Sequence, residues 1–216
     1  MDQEDGDTVR HESANLLRRS GYRGLTTCLL RILERPQEGP RFRAFCVQHL
    51  WLNMESAAPE ERAMIAAFLR RALEDRHTSV RREALLALTH MRDPRGQQAV
   101  VEWLTAENAE GLRDVAIHCV SELDLREFLL AVRKHARDAN EVARIAAIVT
   151  LSQWGDEESR PAIEEAAKSD SFRLRRCAEM ALKRLDRAGK AADSAQPDGK
   201  APEAVPPKAG KPGPDF

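Results

Sequence analysis

The chain repeats itself, and this constrains its fold more than any other feature. Four twelve-residue segments align without gaps: 80–91 (VRREALLALTHM), 112–123 (LRDVAIHCVSEL), 143–154 (ARIAAIVTLSQW) and 174–185 (LRRCAEMALKRL), at spacings of 32, 31 and 31 residues. A period in this range marks stacked supersecondary units rather than one closed domain. With the first residue of each segment as position zero, position one is always arginine (Arg81, Arg113, Arg144, Arg175) and position four always alanine (Ala84, Ala116, Ala147, Ala178). Position zero is Val80, Leu112, Ala143 or Leu174, position eight is Leu88, Val120, Leu151 or Leu182, and position eleven is Met91, Leu123, Trp154 or Leu185. Position seven is small: Ala87, Cys119, Thr150 or Ala181. On a helix of 3.6 residues per turn these positions share one face, which is expected to be buried. Small side chains there let two helix axes approach while the larger residues fill the gaps one turn away.

Between the segments lie partner helices at 94–106, 125–138 and 157–169. Leu125, Phe128, Leu129 and Val132 give the second of these an i, i+3, i+4, i+7 apolar stripe. Asp93-Pro94 signals a helix start, Gly155-Asp156 a helix end, and Thr78 or Ser79 can cap a helix opening at Val80. Two helices in about 31 residues cannot bury their stripes alone and must stack on their neighbours.

These residues resemble HEAT repeats, and more closely the short bacterial variety also found in phycobilisome lyase subunits. Second helices of that family carry V-R-x-x-A-x-x-x-L with an acid six residues before the arginine. Here Asp75 precedes Arg81, Glu107 precedes Arg113 and Asp138 precedes Arg144 by that interval, whereas Ser169 takes the acid's place before Arg175 and Asp170 comes one residue late. The resemblance implies a right-handed α-solenoid with an Asp/Arg ladder inside the stack, and it is strongest over 75–186. Upstream the pattern is looser: Phe42-Arg43 with Cys46 and Leu50 resembles a second helix, residues 60–74 a first helix, and 24–34 the first helix of the earliest pair. A longer connection at 53–59 accounts for the 38 residues between Arg43 and Arg81. The expected architecture is all-α, with an N-terminal capping helix within 1–21, about five helix pairs over 22–186, and a disordered tail over 187–216. The tail holds six of the eleven prolines and only Val205 and Phe216 as larger apolar residues, too few to offset its ordering entropy.

Composition narrows the function. A formal net charge of −1 leaves no excess of cations to neutralise a phosphate backbone, so general nucleic-acid binding is not expected. Cys28, Cys46, Cys119 and Cys177 form no C-x-x-C pair and read as buried, reduced thiols. With an acidic N-terminus and no long apolar run, neither a signal nor a membrane span is expected, and the cytoplasm is the default location.

Chemistry is sparse. Deoxyhypusine hydroxylase, also a HEAT solenoid, binds iron through repeated His-Glu pairs; this chain has one such pair, His11-Glu12, and its other histidines lack H-x-x-x-H spacing, so neither metal nor cofactor is expected. His118 and Glu122 lie four apart and could orient an imidazole for proton transfer, or make a solvated contact, which is the expectation adopted. HEAT-like DNA glycosylases use aromatic and acidic residues in a basic channel. Here Trp154 falls in the buried column, Trp103 on an apolar stripe, and only Trp51 off the expected buried face, either packed under the 53–59 loop or free for a ligand.

The expected role is therefore a monomeric, non-catalytic scaffold that binds a protein partner, with a phycobilin lyase-type subunit or a HEAT-like nucleic-acid-binding protein as alternatives. In a HEAT stack the second helices line the concave side. Positions two, six and nine lie opposite the buried face and supply the candidate contacts: Arg82, Asp114, Ile145 and Arg176 at position two, Leu86, His118, Val149 and Met180 at position six, and Lys183 at position nine. Apolar residues at such positions, rimmed by Arg82, Arg176 and Lys183, suit a binding groove. The alternative is that position six is half buried between neighbouring second helices.

Overall fold

The computed structural model describes residues 3–195 except 36, 55, 107, 108 and 110. Among them the helices are α1 (Gln3–Arg19), α2 (Leu25–Leu33), α3 (Pro40–Leu52), α4 (Pro59–Ala72), α5 (Thr78–His90), α6 (Pro94–Thr105), α7 (Arg113–Glu122), α8 (Leu129–His135), α9 (Glu141–Trp154), α10 (Arg160–Ala166) and α11 (Phe172–Ala195). No strand occurs among the described residues. From α2 onward the helices form five pairs, and each pair packs on the next, so the fold is an all-α solenoid. The helix α1 lies across α2 and α3 at one end.

Local chemistry sets the boundaries. Pro40, Pro59 and Pro94 open their helices, where a missing N–H costs nothing. The Asp93 carboxylate accepts from the Arg95 amide, and the Asn140 side chain accepts from the amides of Val142 and Ala143. In α5 the cap differs from expectation: the helix begins two residues earlier than Val80, at Thr78, with His77 as the flanking residue, and Asp75 accepts the His77 amide at 2.9 Å. Three second helices end alike, on residues with positive φ: Arg92 at 53°, Asp124 at 51° and Gly155 at 70°. The following amides of Asp93, Leu125 and Asp156 return to the carbonyls of Leu88, Val120 and Leu151, so each end is a Schellman closure although only one carries glycine.

The alanine column is fully buried, with Ala84, Ala116, Ala147 and Ala178 all at 0% exposure, as close helix crossing requires. Gly96 shows how close one crossing is, because a Cβ there would meet the Leu88 Cβ at 2.6 Å. The core is continuous from Leu25 to Ala162, and a smaller cluster around Ile148, Ile163, Leu174 and Leu185 closes the far end. Helix α11 runs on to Ala195, past the boundary at 187 that composition suggests; residues 196–216 of the expected tail lie outside the described residues.

The ladder connects successive pairs. The Arg43 guanidinium reaches Asp75 at 2.6 Å, and Arg113 reaches Asp138 at 2.9 Å. Glu107, the acid expected for the intervening rung, lies outside the described residues. Where Ser169 replaces the acid, Arg144 keeps only the carbonyl bond that Arg43 and Arg113 also make, to Ala136, and approaches Glu165 only to 3.9 Å. A second series links first helices to the start of the next unit, Arg70 to Asp93 and Arg133 to Asp156. Among the cysteines, Cys46 and Cys119 are buried and Cys177 half-buried, but Cys28 is exposed because it falls beside the Leu25–Leu29–Leu33 stripe of α2.

Candidate functional site

Successive second helices, α3, α5, α7, α9 and α11, pack directly side by side, while successive first helices scarcely meet. Successive units are therefore joined chiefly through their second helices, whose water-facing side is the face expected to be concave. Side chains bridge neighbouring helices there: Arg82 donates to both oxygens of Asp114 at 2.6 and 2.7 Å, Ser121 to Gln153 at 2.8 Å, and Arg184 to Ser152 at 3.1 Å.

Two open depressions lie along this face and share Val149. The first, of about 720 Å³ between α7 and α9, is lined by His118, Ser121, Glu122, Asp124, Arg126, Ala146, Gln153 and Trp154 besides Val149 and Thr150. The second, of about 480 Å³ between α9 and α11, has Ile145, Val149, Phe172, Cys177, Met180 and Ala181 as its apolar surface, with Ser152, Arg173, Arg176 and Arg184 supplying the polar groups.

The structure brings five of the nine sequence candidates to these depressions: His118 to the first, Ile145, Arg176 and Met180 to the second, and Val149 to both. Arg82 and Asp114 are joined to each other, and Leu86 is half-buried against the core. Lys183 is exposed on α11 but lines neither depression. Position six thus divides, with His118 and Met180 open to solvent and Leu86 and Val149 half-buried. Position nine departs from expectation: Thr89 and Ser152 are buried, because side-by-side packing of second helices covers their flanks as well as their backs.

Several lining residues were not singled out by sequence reasoning. Phe172 is the first residue of α11, upstream of the twelve-residue segment, and it is 66% exposed. Cys177, Ala181 and Arg184 sit on the flank of α11 that faces α9; their period of three and four with Phe172, Arg173 and Met180 was the available signal. Trp154, expected in the buried column, is half-buried and lines the first depression, with the Arg126 guanidinium 5.9 Å from its ring centre. Trp51 does not stand free: it is half-buried and stacks on His90 of the next unit, with ring centres 4.6 Å apart.

The titratable groups here favour recognition over proton transfer. Glu122 contacts His90 Nδ1 at 3.1 Å, whereas His118 Nε2 is 3.8 Å away, beyond hydrogen-bond reach. Burial pushes the Cys119 thiol up to about 11 and raises that of Cys177 as well, so both are protonated near neutrality. Among the described residues no group of three His, Cys, Asp or Glu side chains is placed to hold a metal ion, and no helix is long and apolar enough to cross a membrane.

Residues 29–121 match the family model for HEAT repeats. That span takes in the first three helix pairs, including the upstream part where the repeat is hardest to see, and it supports the HEAT-repeat resemblance without reaching the finer resemblance to phycobilisome lyase subunits. A comparison with curated proteins gave no match. Among solved structures, a designed armadillo repeat protein is similar at 19% identity over 81% of this chain and 87% of its own, with a TM-score of 0.48. A second similar structure, titled as computationally designed armadillo repeat proteins for modular peptide recognition, gives 16% identity, 81% and 86% coverage and a TM-score of 0.47.

Proposed function

We propose that this protein is a binding scaffold that holds a segment of another protein along the inner face of its helical stack. The contact surface comprises His118, Ile145, Val149, Arg176 and Met180, with Lys183 at its edge and the Arg82–Asp114 pair and Leu86 continuing it toward the first repeats. One observation carries this reading: the two depressions are adjacent and share Val149, and large apolar side chains are held open in the second of them, Met180 at 59% and Phe172 at 66% exposure. A water-facing surface that clusters Ile, Val, Phe and Met within a ring of arginines has the make-up of an interface core with a polar rim.

The test is capture of a binding partner by the full chain and by variants. Val149→Asp combined with Met180→Asp should abolish capture, because each places an unpaired carboxylate where an apolar contact forms. Met180→Asp alone should weaken capture while the melting temperature changes little, since this side chain already meets water. Met64→Asp, in the separate depression beside α2 and α4, should leave capture intact. Full capture by a folded double variant would contradict the proposal.

A further inference from the structure

Within that binding reading, the charges around the second depression restrict what it accepts. Three arginines, Arg173, Arg176 and Arg184, line it, and no carboxylate does. Elsewhere in the stack inward-lying arginines find acids: Arg43 meets Asp75, Arg82 meets Asp114 and Arg113 meets Asp138. Arg173 and Arg176 have no carboxylate within ion-pair distance among the described residues, and Arg184 reaches only the Ser152 hydroxyl. Arg176 occupies the same repeat position as Arg82, whose partner Asp114 comes from the unit that follows; α11 has no following helix among the described residues. The groove therefore combines an apolar floor with three guanidinium groups that hold no carboxylate among the described residues, and one of them, Arg176, stands where Arg82 holds Asp114.

We infer that the α9–α11 groove binds an acidic peptide segment of a partner protein that inserts one apolar side chain, aromatic or branched, between Val149, Phe172 and Met180, while flanking Asp or Glu carboxylates bridge Arg173, Arg176 and Arg184. Guanidinium groups form two parallel hydrogen bonds with a carboxylate, as Arg82 does with Asp114, and this geometry fixes the peptide's register beside its anchor. A volume of about 480 Å³ is of the size that holds a compact apolar group with its neighbours. A nucleic-acid strand would satisfy the arginines but not the apolar floor, whereas an acidic peptide with one anchor satisfies both.

This inference rests on the α9–α11 groove being the binding surface, and one experiment separates the two. A displayed library of random twelve-residue peptides is selected on the full chain, on Val149→Asp/Met180→Asp, and on a triple variant carrying Arg173→Glu, Arg176→Glu and Arg184→Glu. Expected is enrichment of peptides with Asp and Glu around a single aromatic or branched residue, lost on both variants. A synthetic peptide of the enriched sequence should bind more weakly by about tenfold for each arginine removed, and its Lys-for-Asp/Glu version should bind the triple variant better than the original chain. Enriched peptides that need Val149 and Met180 but are neutral or basic would overturn the acidic-partner inference and leave the scaffold reading standing. No enrichment, or enrichment indifferent to the apolar double variant, would overturn both. A single-stranded DNA 20-mer bound in an arginine-dependent manner that Val149→Asp/Met180→Asp does not affect would overturn the inference in favour of nucleic acid.

Discussion

The first repeats and the last use the same arginine-rich helix differently. In the first, Arg43 is locked to Asp75 with both side chains nearly excluded from water, at 12% and 11% exposure, and Arg43 also donates to the Leu33 carbonyl at 2.7 Å. In the last, Arg173 and Arg176 project from α11 into solvent beside Phe172 and Met180. An arginine in this architecture becomes structural when the next repeat supplies a carboxylate and available when it does not. Arg82 and Arg176, at one repeat position, are the two outcomes of that rule, whereas Arg175, at the position of Arg113, is held by the Ser169 carbonyl at 2.7 Å.

The sharpest way to break this comparison is to remove one charge from each region. Asp75→Ala strands the Arg43 guanidinium in a largely dry site and should destabilise the stack by about 3–5 kcal/mol, read by thermal or urea unfolding. If Asp75→Ala leaves stability unchanged, the ladder is decoration. Next in size, Ala147→Leu forces a larger side chain into a crossing with no exposed surface and should destabilise by roughly 1–3 kcal/mol.

Acid should separate two kinds of buried group in the first half of the stack, a neutral imidazole and paired carboxylates. Burial, reinforced by Arg18 and His11, lowers His49 from its ordinary 6.5 to about 4, so folding favours the neutral ring. The stability this contributes is present above pH 6.5 and is lost as pH falls toward 4, where the unfolded chain takes up a proton that the folded one refuses. His49 packs on Phe45, which stacks on His11 of α1, so the loss belongs to the α1–α3 end. Asp93 is held below its ordinary 3.8 chiefly by Arg70. At Asp75, burial pulls upward, but the His77 amide and Arg43 outweigh it and the carboxyl is lowered too. Those contributions persist above pH 3.8 and fail as pH falls below it. Melting temperature against pH should therefore decline in two stages, and His49→Leu should remove the upper one. A single decline below pH 4 in the unaltered chain would count against the buried neutral imidazole. Smallest of all, Arg176→Ala should change stability by less than about 0.5 kcal/mol, because nothing within the stack depends on it.

Periodicity alone disclosed most of the fold. The alanine column, the paired helices and the glycine at 155 all follow from local rules that act the same way in every repeat. Two of the three Schellman ends were harder to see, since Arg92 and Asp124 adopt positive φ under tertiary constraint without the residue that usually announces it. The ladder was visible as a spacing, but not which repeat each arginine would reach. The site was partly legible: Ile145, Val149, Arg176 and Met180 follow from helical geometry, yet Arg82 and Asp114 look equally exposed on a single helix and pair only when two helices are set side by side. Phe172 escaped because it precedes the repeating segment, and the burial of Thr89 and Ser152 depends on lateral packing that a helical wheel does not contain.

Occupancy of the groove between α9 and α11 can be measured without altering its surface, because Cys177 lies in its wall and is half-buried while Cys46 and Cys119 are sealed in the core. In a chain carrying Cys28→Ser, which removes the exposed thiol, the rate of Cys177 alkylation by a maleimide reports access to the groove directly. Saturation with a bound partner peptide should slow that rate severalfold. An unchanged rate with the peptide demonstrably bound would place binding elsewhere on the molecule and contradict the account.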